Sequence, residues 1–158
     1  MDEAIAKKAL RMFTYGLYMV SSAADGDVSA MTSNWITQVS FHPRMLALAV
    51  EVDSHSLEVI RKSGVFAVNV YESGQRELAA HFSRLTAKVG NKLAGREYTL
   101  GSTGCPLLPE ALAAVECRVV FEHPVGDHVL FVGEVVDAHL NREGEPLTMK
   151  EAGFRYSG

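Results

Sequence analysis

The stretch from residue 29 to residue 60 constrains the fold most strongly, because its composition changes twice. Residues 29–41 are rich in hydroxyl and amide side chains and end shortly before Pro43, which limits further strand pairing. Residues 45–52 are then apolar at both alternating positions except for Glu51. A strand with this pattern is buried on both faces, either in a barrel or against a partner subunit.

A helix pattern follows this strand. It begins near Ser54 and ends at Ser63-Gly64, where the glycine can adopt the left-handed cap conformation. Backbone amides at the start of such a helix, at residues 53–56, direct the positive end of the helix dipole toward an anion. Backbone amides and short side chains at residues 31–36 are suited to the edge of a flat heterocycle. The two segments together predict a mononucleotide site.

Much of the remaining chain alternates as antiparallel strands do. Residues 15–22, 65–71 and 128–140 are predicted strands, and Asp25-Gly26 is a hairpin turn. With strands outnumbering helices and no repeated strand-helix-strand order, the sequence predicts a mainly β fold, an antiparallel β-barrel with flanking helices. The clearest alternation places Val115, Cys117, Val119 and Phe121 on one face, and Glu116, Arg118 and Glu122 on the other.

The predicted helices flank this barrel. Residues 2–13 form a short amphipathic pattern, which we expect to pack across one end of the barrel. Residues 73–82 form a second helix pattern. Residues 83–109 are interrupted by glycines and prolines, so we predict a loop with at most one short helix. Loops of this length in compact domains are often functional covers.

Composition narrows the class of protein. A chain of 158 residues with 47% hydrophobic and 22% charged residues fits one globular domain spanning residues 1–158. The net charge of −4 is dispersed, which disfavours a nucleic-acid partner. No apolar run reaches the length of a membrane helix and no signal sequence begins the chain, so we expect a cytoplasmic protein. Cys105 and Cys117 are expected to be reduced thiols, and histidine spacing predicts no metal site.

Several segments, in order, resemble the flavin reductase-like family. The run Ala30–Phe41 with Pro43 resembles the flavin-contacting segment of that family, whose fold is an FMN-binding split barrel of antiparallel Greek-key type. Residues 15–22 resemble the opening strand of flavoredoxin-like proteins and of the flavin domains of high-molecular-weight rubredoxins. The resemblance spans roughly residues 12 to 140 and includes three later stretches, Ser63–Val70, Glu77–Phe82 and Gly126-Asp127-His128 followed by a strand with Gly133.

The resemblance implies specific flavin contacts in the polar segment. Met31, Thr32, Ser33, Asn34, Trp35 and Ile36 would border the flavin, and residues 32–35 would hydrogen-bond its pyrimidine edge and ribityl chain. The alternative is that the hydroxyls satisfy a turn, while Trp35 packs in the core or in an interface.

Charged and hydroxyl residues elsewhere complete the implied site. Asp53, Ser54 and Ser56 would hold the phosphate at the helix start; Asp53 is expected to point away or to be an ordinary N-cap. His128 would be the catalytic residue near the flavin and the nicotinamide, or else a turn histidine held by Asp127. Lys88 and Lys92 would contact a flavin or dinucleotide phosphate, or else be solvated charges.

The implied function is that of an FMN-binding (or FAD-binding) NAD(P)H:flavin oxidoreductase, which transfers a hydride from NADH or NADPH to the flavin. Two alternatives stay open: an electron carrier with a redox protein partner, and a split-barrel module without redox activity. We also expect a homodimer with the flavin near the subunit interface, where Tyr15 or Tyr156 would reach the partner's ligand. The short tail after Pro146 leaves open whether the site has a lid.

Overall fold

The computed structural model describes residues 1–156, without the side chain of Ala87. Strands and helices alternate irregularly along the chain, and strands predominate. The helices are α1 (Glu3–Leu10), α2 (His55–Ser63), α3 (Arg76–Phe82), α4 (Thr86–Val89) and α5 (Met149–Ala152). The strands are β1 (Tyr18–Ala24), β2 (Asp27–Ser33), β3 (Ile36–Phe41), β4 (Arg44–Glu51), β5 (Val65–Val70), β6 (Thr99–Leu100), β7 (Pro106–Leu107), β8 (Ala113–Val125) and β9 (His128–Leu140).

Seven strands form one antiparallel sheet in the order β2-β1-β5-β8-β9-β4-β3. The predicted mainly β, antiparallel architecture is therefore confirmed. The connection from β4 through α2 returns the chain to β5, beside β1, as in a Greek key. β6 and β7 pair separately from this sheet.

The two edges of the sheet are joined by only two residues, Asn34 and Trp35, which link β2 to β3. Seven flat strands would separate these edges by about 28 Å. The three Cα steps from Ser33 to Ile36 span at most about 11 Å. The sheet must therefore curl until its edges approach. Within residues 1–156, no strand pairing joins β2 to β3, so the barrel has an open seam there.

Helix α2 begins and ends where its sequence predicts. The Ser54 hydroxyl accepts a hydrogen bond from the Leu57 amide, and Gly64 adopts φ +70° at the other end. Leu57 and Ile60 are buried against the barrel interior, whose core includes Val20, Leu48, Val50, Phe66, Val68, Cys117 and Phe131. This packing fixes the start of α2 close to the end of β4.

A second core lies under α3 and the C-terminal segment. It contains Tyr71 and Phe82 together with Leu147, which anchors the C-terminal segment. Helix α1 is outside both cores and buries none of its residues, so the expected packing of α1 across a barrel end is wrong. Among residues 1–156, no helix has the length and apolar character needed to cross a membrane.

The alternation predicted for β8 fails in two places. The register between β8 and β9 shifts at Glu116/Cys117 and again at Val119/Phe121. As a result Phe121 is 53% exposed, although it was expected to share a face with Cys117, which is fully buried. Glu116, expected on the polar face, is also fully buried. Each extra residue at a bulge reverses the side-chain direction that follows it.

The segment predicted as a loop at residues 83–109 has more structure than expected. It contains α4 and the short β6–β7 pair. Its residues 102 and 103 cover Glu116, whose carboxylate accepts hydrogen bonds from the Ser102 and Thr103 amides at 3.0 and 2.7 Å. The periodicity of β8 could not reveal this contact, because the covering residues are distant in the sequence.

Candidate functional site at the open seam

A cleft of about 570 Å³ lies at the open seam of the sheet, and we call it the seam cleft. The β2–β3 link, the end of β4, the start of α2, the α3–α4 connection and the C-terminal segment all contribute to it. Most of the predicted site residues line it: Met31, Thr32, Ser33, Asn34, Trp35, Asp53, Ser54, Ser56, Lys92 and His128.

Two predicted site residues do not line the seam cleft. Ile36 begins β3 and packs against the core inside the barrel, because side chains alternate in direction along a strand. Lys88 is exposed on α4. The structure therefore does not bring the Lys88 side chain together with the polar segment.

The polar side chains of residues 32–34 differ in whether they are free to bind a ligand in the seam cleft. The Thr32 hydroxyl donates to the Ala79 carbonyl at 2.7 Å, so it accepts from the Tyr71 hydroxyl at 2.9 Å. This hydroxyl serves the fold, because its only hydrogen is already used. Asn34 donates from Nδ2 to the Met149 sulfur at 3.3 Å. The Ser33 hydroxyl has no hydrogen-bond partner within residues 1–156, which leaves it available to a ligand.

The start of α2 supplies the predicted anion-binding features. Ser54, not Asp53, is the N-cap, and its hydroxyl also donates to the Glu51 carbonyl at 2.9 Å. The alternative of Asp53 as the cap is therefore wrong. Ser56 is buried but lines the seam cleft, and its hydroxyl has no partner in the described part of the chain. His55 pairs with Asp27 at 3.3 Å.

His128 begins β9 and is the ladder partner of Glu51 on β4. Its Nδ1 lies 2.6 Å from an Asp127 carboxylate oxygen, and its Nε2 lies 3.1 Å from the Tyr156 hydroxyl. The hydrogen bond and charge of His128 lower the pKa of Asp127. His128 is therefore held by Asp127, as the alternative of a turn histidine predicted. The same imidazole also lines the seam cleft.

Lys92 holds the backbone that forms one wall of the seam cleft. Its Nζ donates to the carbonyls of Phe82 and Arg84 at 2.8 and 2.9 Å. Burial lowers the pKa of Lys92 to about 8. Two of its three N–H groups are thus committed to the protein. Within residues 1–156, the cleft-lining Arg84 and Arg155 guanidinium groups have no ion-pair partner. They leave positive charge at this site.

The comparisons with known proteins decide the family. The model described as "Flavin reductase like domain" matches residues 10–158. The chain belongs to the flavin reductase-like family. A ferric-chelate reductase (NAD(P)H) from Archaeoglobus fulgidus is 34% identical over 143 residues, with 89% of this chain and 85% of the relative covered.

Other relatives of this flavin reductase-like protein are similar over nearly their whole length. An FMN reductase (NADH), SmoA, from Agrobacterium fabrum is 30% identical, covering 94% of this chain and 82% of the relative. The reductase component of a Thermus thermophilus 4-hydroxyphenylacetate 3-monooxygenase is 31% identical, with 94% and 93% covered. The solved structure of the Streptomyces globisporus NADH:FAD oxidoreductase SgcE6 with NAD and FAD fragments is 29% identical, with a TM-score of 0.80 and 90% and 86% covered.

Residues from distant parts of this flavin reductase-like chain also line the seam cleft. They are Leu17, Ala49, Val50, Glu51, His55, Phe82, Ser83, Arg84, Leu85, Thr86, Met149, Phe154, Arg155 and Tyr156. The sequence contains one local pattern that predicts the short helix α5 beside the cleft, the capping-box spacing Thr148-x-x-Glu151. In the structure, the Thr148 hydroxyl caps α5 by accepting a hydrogen bond from the Glu151 amide. Tyr156 lines the cleft of its own chain. The expectation that Tyr15 or Tyr156 reaches a partner's ligand stays a prediction.

The seam cleft fits a phosphorylated ring in size and chemistry. Its volume is within the usual range for small-molecule sites, about 300–1,000 Å³. The Ser33 and Ser56 hydroxyls, which have no protein partner within residues 1–156, belong to two separate segments of the cleft wall, and Arg84 and Arg155 add positive charge for a phosphate.

Outside the cleft, Glu116, Asp137 and His139 place possible metal ligands within 4.8 Å of one another. Both Glu116 oxygens already accept hydrogen bonds.

Proposed function

We propose that this protein is an NAD(P)H-dependent flavin reductase that binds FMN in the seam cleft. The observation that carries the proposal is the convergence of two separate segments, residues 31–35 and the start of α2, on one cleft. Bound FMN supplies a ring that accepts a hydride from NADH or NADPH. The protein contributes the placement of the ring and the electrostatic environment around it.

Different residues would hold the two ends of the cofactor. Ser33 and Asn34, with the backbone around them, are placed for the ring and the ribityl chain. Ser56 and the first amides of α2 are placed for the phosphate, because a helix start favours an anion. Asp53 and Arg84 both line the same cleft, so a positively charged side chain accompanies this carboxylate there. FAD would require additional room for its adenylate.

The electron donor is a nicotinamide dinucleotide that docks transiently. The sequence has no G-x-G-x-x-G motif that would hold the donor in a dedicated dinucleotide fold. We propose that the donor shares the seam cleft with the flavin. His128 lines this cleft, where its imidazole is placed beside a docked donor.

An anaerobic stopped-flow experiment tests this function. The purified full chain is loaded with FMN and mixed with NADH or NADPH while the flavin absorption band is followed. We expect the band to bleach with at least one donor. An electron carrier that accepts electrons only from a protein partner would show no bleaching, and a module without redox activity would fail to take up FMN.

We further propose that the protein is a homodimer. In the single chain, several large apolar side chains of the sheet are exposed, including Val39 (52%) and Phe41 (76%) on β3 and Phe121 (53%) on β8. The apolar side of α1 is also uncovered, with Ile5 at 64%. A second copy that covers these groups would remove apolar area from water, which favours association.

Light scattering coupled to size exclusion tests the assembly. We expect a dimer mass for the wild type and a shift toward monomer for Phe41→Ser. Leu100→Ser is the matched control, because Leu100 is 65% exposed but belongs to the separate β6–β7 pair. A monomeric wild type at micromolar concentration would contradict the proposed assembly.

A further inference from the structure

The Tyr156 side chain lies over two other rings in the seam cleft. Its ring packs edge-on against Trp35, with 5.1 Å between ring centroids, and its centroid lies 6.2 Å from that of His128. Its hydroxyl lies 3.1 Å from His128 Nε2 and donates to a Glu51 carboxylate oxygen. All four residues line the cleft, so Tyr156 fills cleft space beside Trp35 and His128.

This contact leaves His128 without a free ring nitrogen. Nδ1 lies 2.6 Å from an Asp127 carboxylate oxygen, and Nε2 faces the Tyr156 hydroxyl. An imidazole has only these two hydrogen-bonding atoms, whichever of them carries a proton. Of the two partners, Tyr156 is the one that lines the seam cleft. A ligand in the cleft can therefore hydrogen-bond to His128 only after the Tyr156 hydroxyl has left Nε2.

The segment that carries Tyr156 is held by its backbone only as far as Phe154. The Phe154 amide donates to the Met149 carbonyl at 3.1 Å, and the Arg76 guanidinium lies 5.7 Å from the centre of the Phe154 ring. Within residues 1–156, the backbone groups of residues 155 and 156 make no hydrogen bond. Tyr156 is therefore held in the cleft by its side chain alone.

The Tyr156 ring can leave the cleft without unfolding any part of the protein. Its departure breaks side-chain hydrogen bonds to Glu51 and His128 and the ring contact with Trp35, each of which is a modest interaction. Tyr156 is also 38% exposed, so its ring already borders solvent. A nicotinamide can replace these contacts, because it has a flat ring and a carboxamide that both donates and accepts hydrogen bonds.

We propose that Tyr156 is a displaceable cover of the seam cleft, which excludes the nicotinamide donor until its ring moves away; this inference rests on the proposed flavin reductase function. The donor then binds only the open state, so its apparent Kd is the intrinsic Kd divided by the fraction of open protein. Weakening the closed state should therefore tighten donor binding. Loss of a tyrosine that contacts the bound donor would have the opposite effect.

The resting position of Tyr156 is tested on the full chain without flavin or donor. Trp35 is the single tryptophan, and acrylamide quenches its emission by collision, so the quenching constant reports how far the indole is covered. We expect this constant to rise in Tyr156→Ala, because one side of Trp35 is uncovered. The matched control Tyr98→Ala, at a tyrosine that is 36% exposed and lies outside the cleft, should keep the wild-type constant. Equal constants in the wild type and Tyr156→Ala would overturn the proposal.

Displacement is tested on the FMN-loaded chain with NAD⁺ and NADP⁺, which resemble the donor but carry no hydride to transfer. Tyr156→Phe keeps the ring and removes both hydroxyl contacts, so it weakens the closed state. We expect its Kd for at least one dinucleotide to fall by about three- to tenfold, the equivalent of one hydrogen bond. Tyr98→Phe should keep the wild-type Kd. A raised or unchanged Kd in Tyr156→Phe would count against the cover.

Turnover with NADH or NADPH separates the cover from the proposed function. Tyr156→Phe should lower KM for the donor, as removal of an occluding contact requires. A lower kcat with an unchanged KM would instead place Tyr156 among the groups that act on the bound donor, and the cover would be wrong. Failure of the reductase function is a different result: the flavin stays oxidised with both donors in the wild type and in every variant, while Trp35 quenching still reports the position of Tyr156.

Discussion

The imidazole of His128 lies 4.7 Å, between ring centroids, from the indole of Trp35. Both rings line the seam cleft, and the Tyr156 ring packs edge-on against Trp35. The Trp35 ring therefore belongs to an aromatic cluster within the candidate site, and its contact with a flavin stays a prediction.

This position makes Trp35 a reporter of cofactor binding. We expect its emission to fall on titration with FMN and to level off at one FMN per chain, because the flavin and the indole share one cleft. Trp35→Phe removes the signal and shows that it has no other source. If flavin fluorescence reports binding while Trp35 emission stays constant, FMN occupies some other part of the protein.

Ser56→Ala should weaken FMN binding by about 10- to 100-fold, the range for losing one hydrogen bond to a charged group. The Ser56 hydroxyl lies in the seam cleft at the start of α2. Riboflavin, which lacks the phosphate, serves as the matched ligand, and its affinity should change little. Isothermal titration with both ligands measures the difference. Equal losses for FMN and riboflavin would place the phosphate elsewhere.

Glu116 provides a prediction on acid stability. Burial alone would raise its pKa, but hydrogen bonds from Thr103, His139 and Ser102 outweigh burial and lower this pKa to about 2. A carboxyl whose pKa is lower in the folded state stabilises the fold above its unfolded pKa and loses this contribution as pH falls. The stabilisation amounts to about 3 kcal/mol at neutral pH.

Glu116→Gln should therefore lower the free energy of unfolding by about 2–3 kcal/mol at pH 7. The difference from the wild type should shrink as pH falls from about 4.5 toward 2. Urea denaturation at pH 7 and pH 3 measures both values. Glu122→Gln, which removes an exposed ion pair with Arg61, is the control and should cost less than about 1 kcal/mol. A pH-independent difference would argue against this account.

Gly133 lies in a tightly packed part of the barrel interior. A Cβ at this position would lie 2.7 Å from a Phe66 ring carbon and 2.8 Å from the Cys117 Cβ. Gly133→Ala should destabilise the protein by about 1–3 kcal/mol through overpacking. Adding Phe66→Leu should recover part of the loss, as thermal unfolding would show. An additive second loss would mean that the ring does not cause the strain.

Sequence patterns predicted the parts of the fold that are determined by interactions between residues close together in the chain. Capping by Ser54 and Gly64 determines α2, and its start lies beside the polar segment as expected. The β8 faces were mispredicted because two bulges reverse the alternation, and bulges depend on how neighbouring strands pair. The contribution of Tyr156 to the cleft was missed for a similar reason, since its contacts are with Glu51 and His128, distant in sequence.

The two-residue link between β2 and β3 has a mechanical consequence. Asn34 and Trp35 are at once the hinge of the sheet and part of the ligand wall. A molecule seated there braces two free edges that backbone hydrogen bonds leave unjoined within residues 1–156. Cofactor occupancy should therefore slow amide hydrogen exchange along both edge strands. The cofactor would then stabilise the folded sheet as well as supply the reactive group.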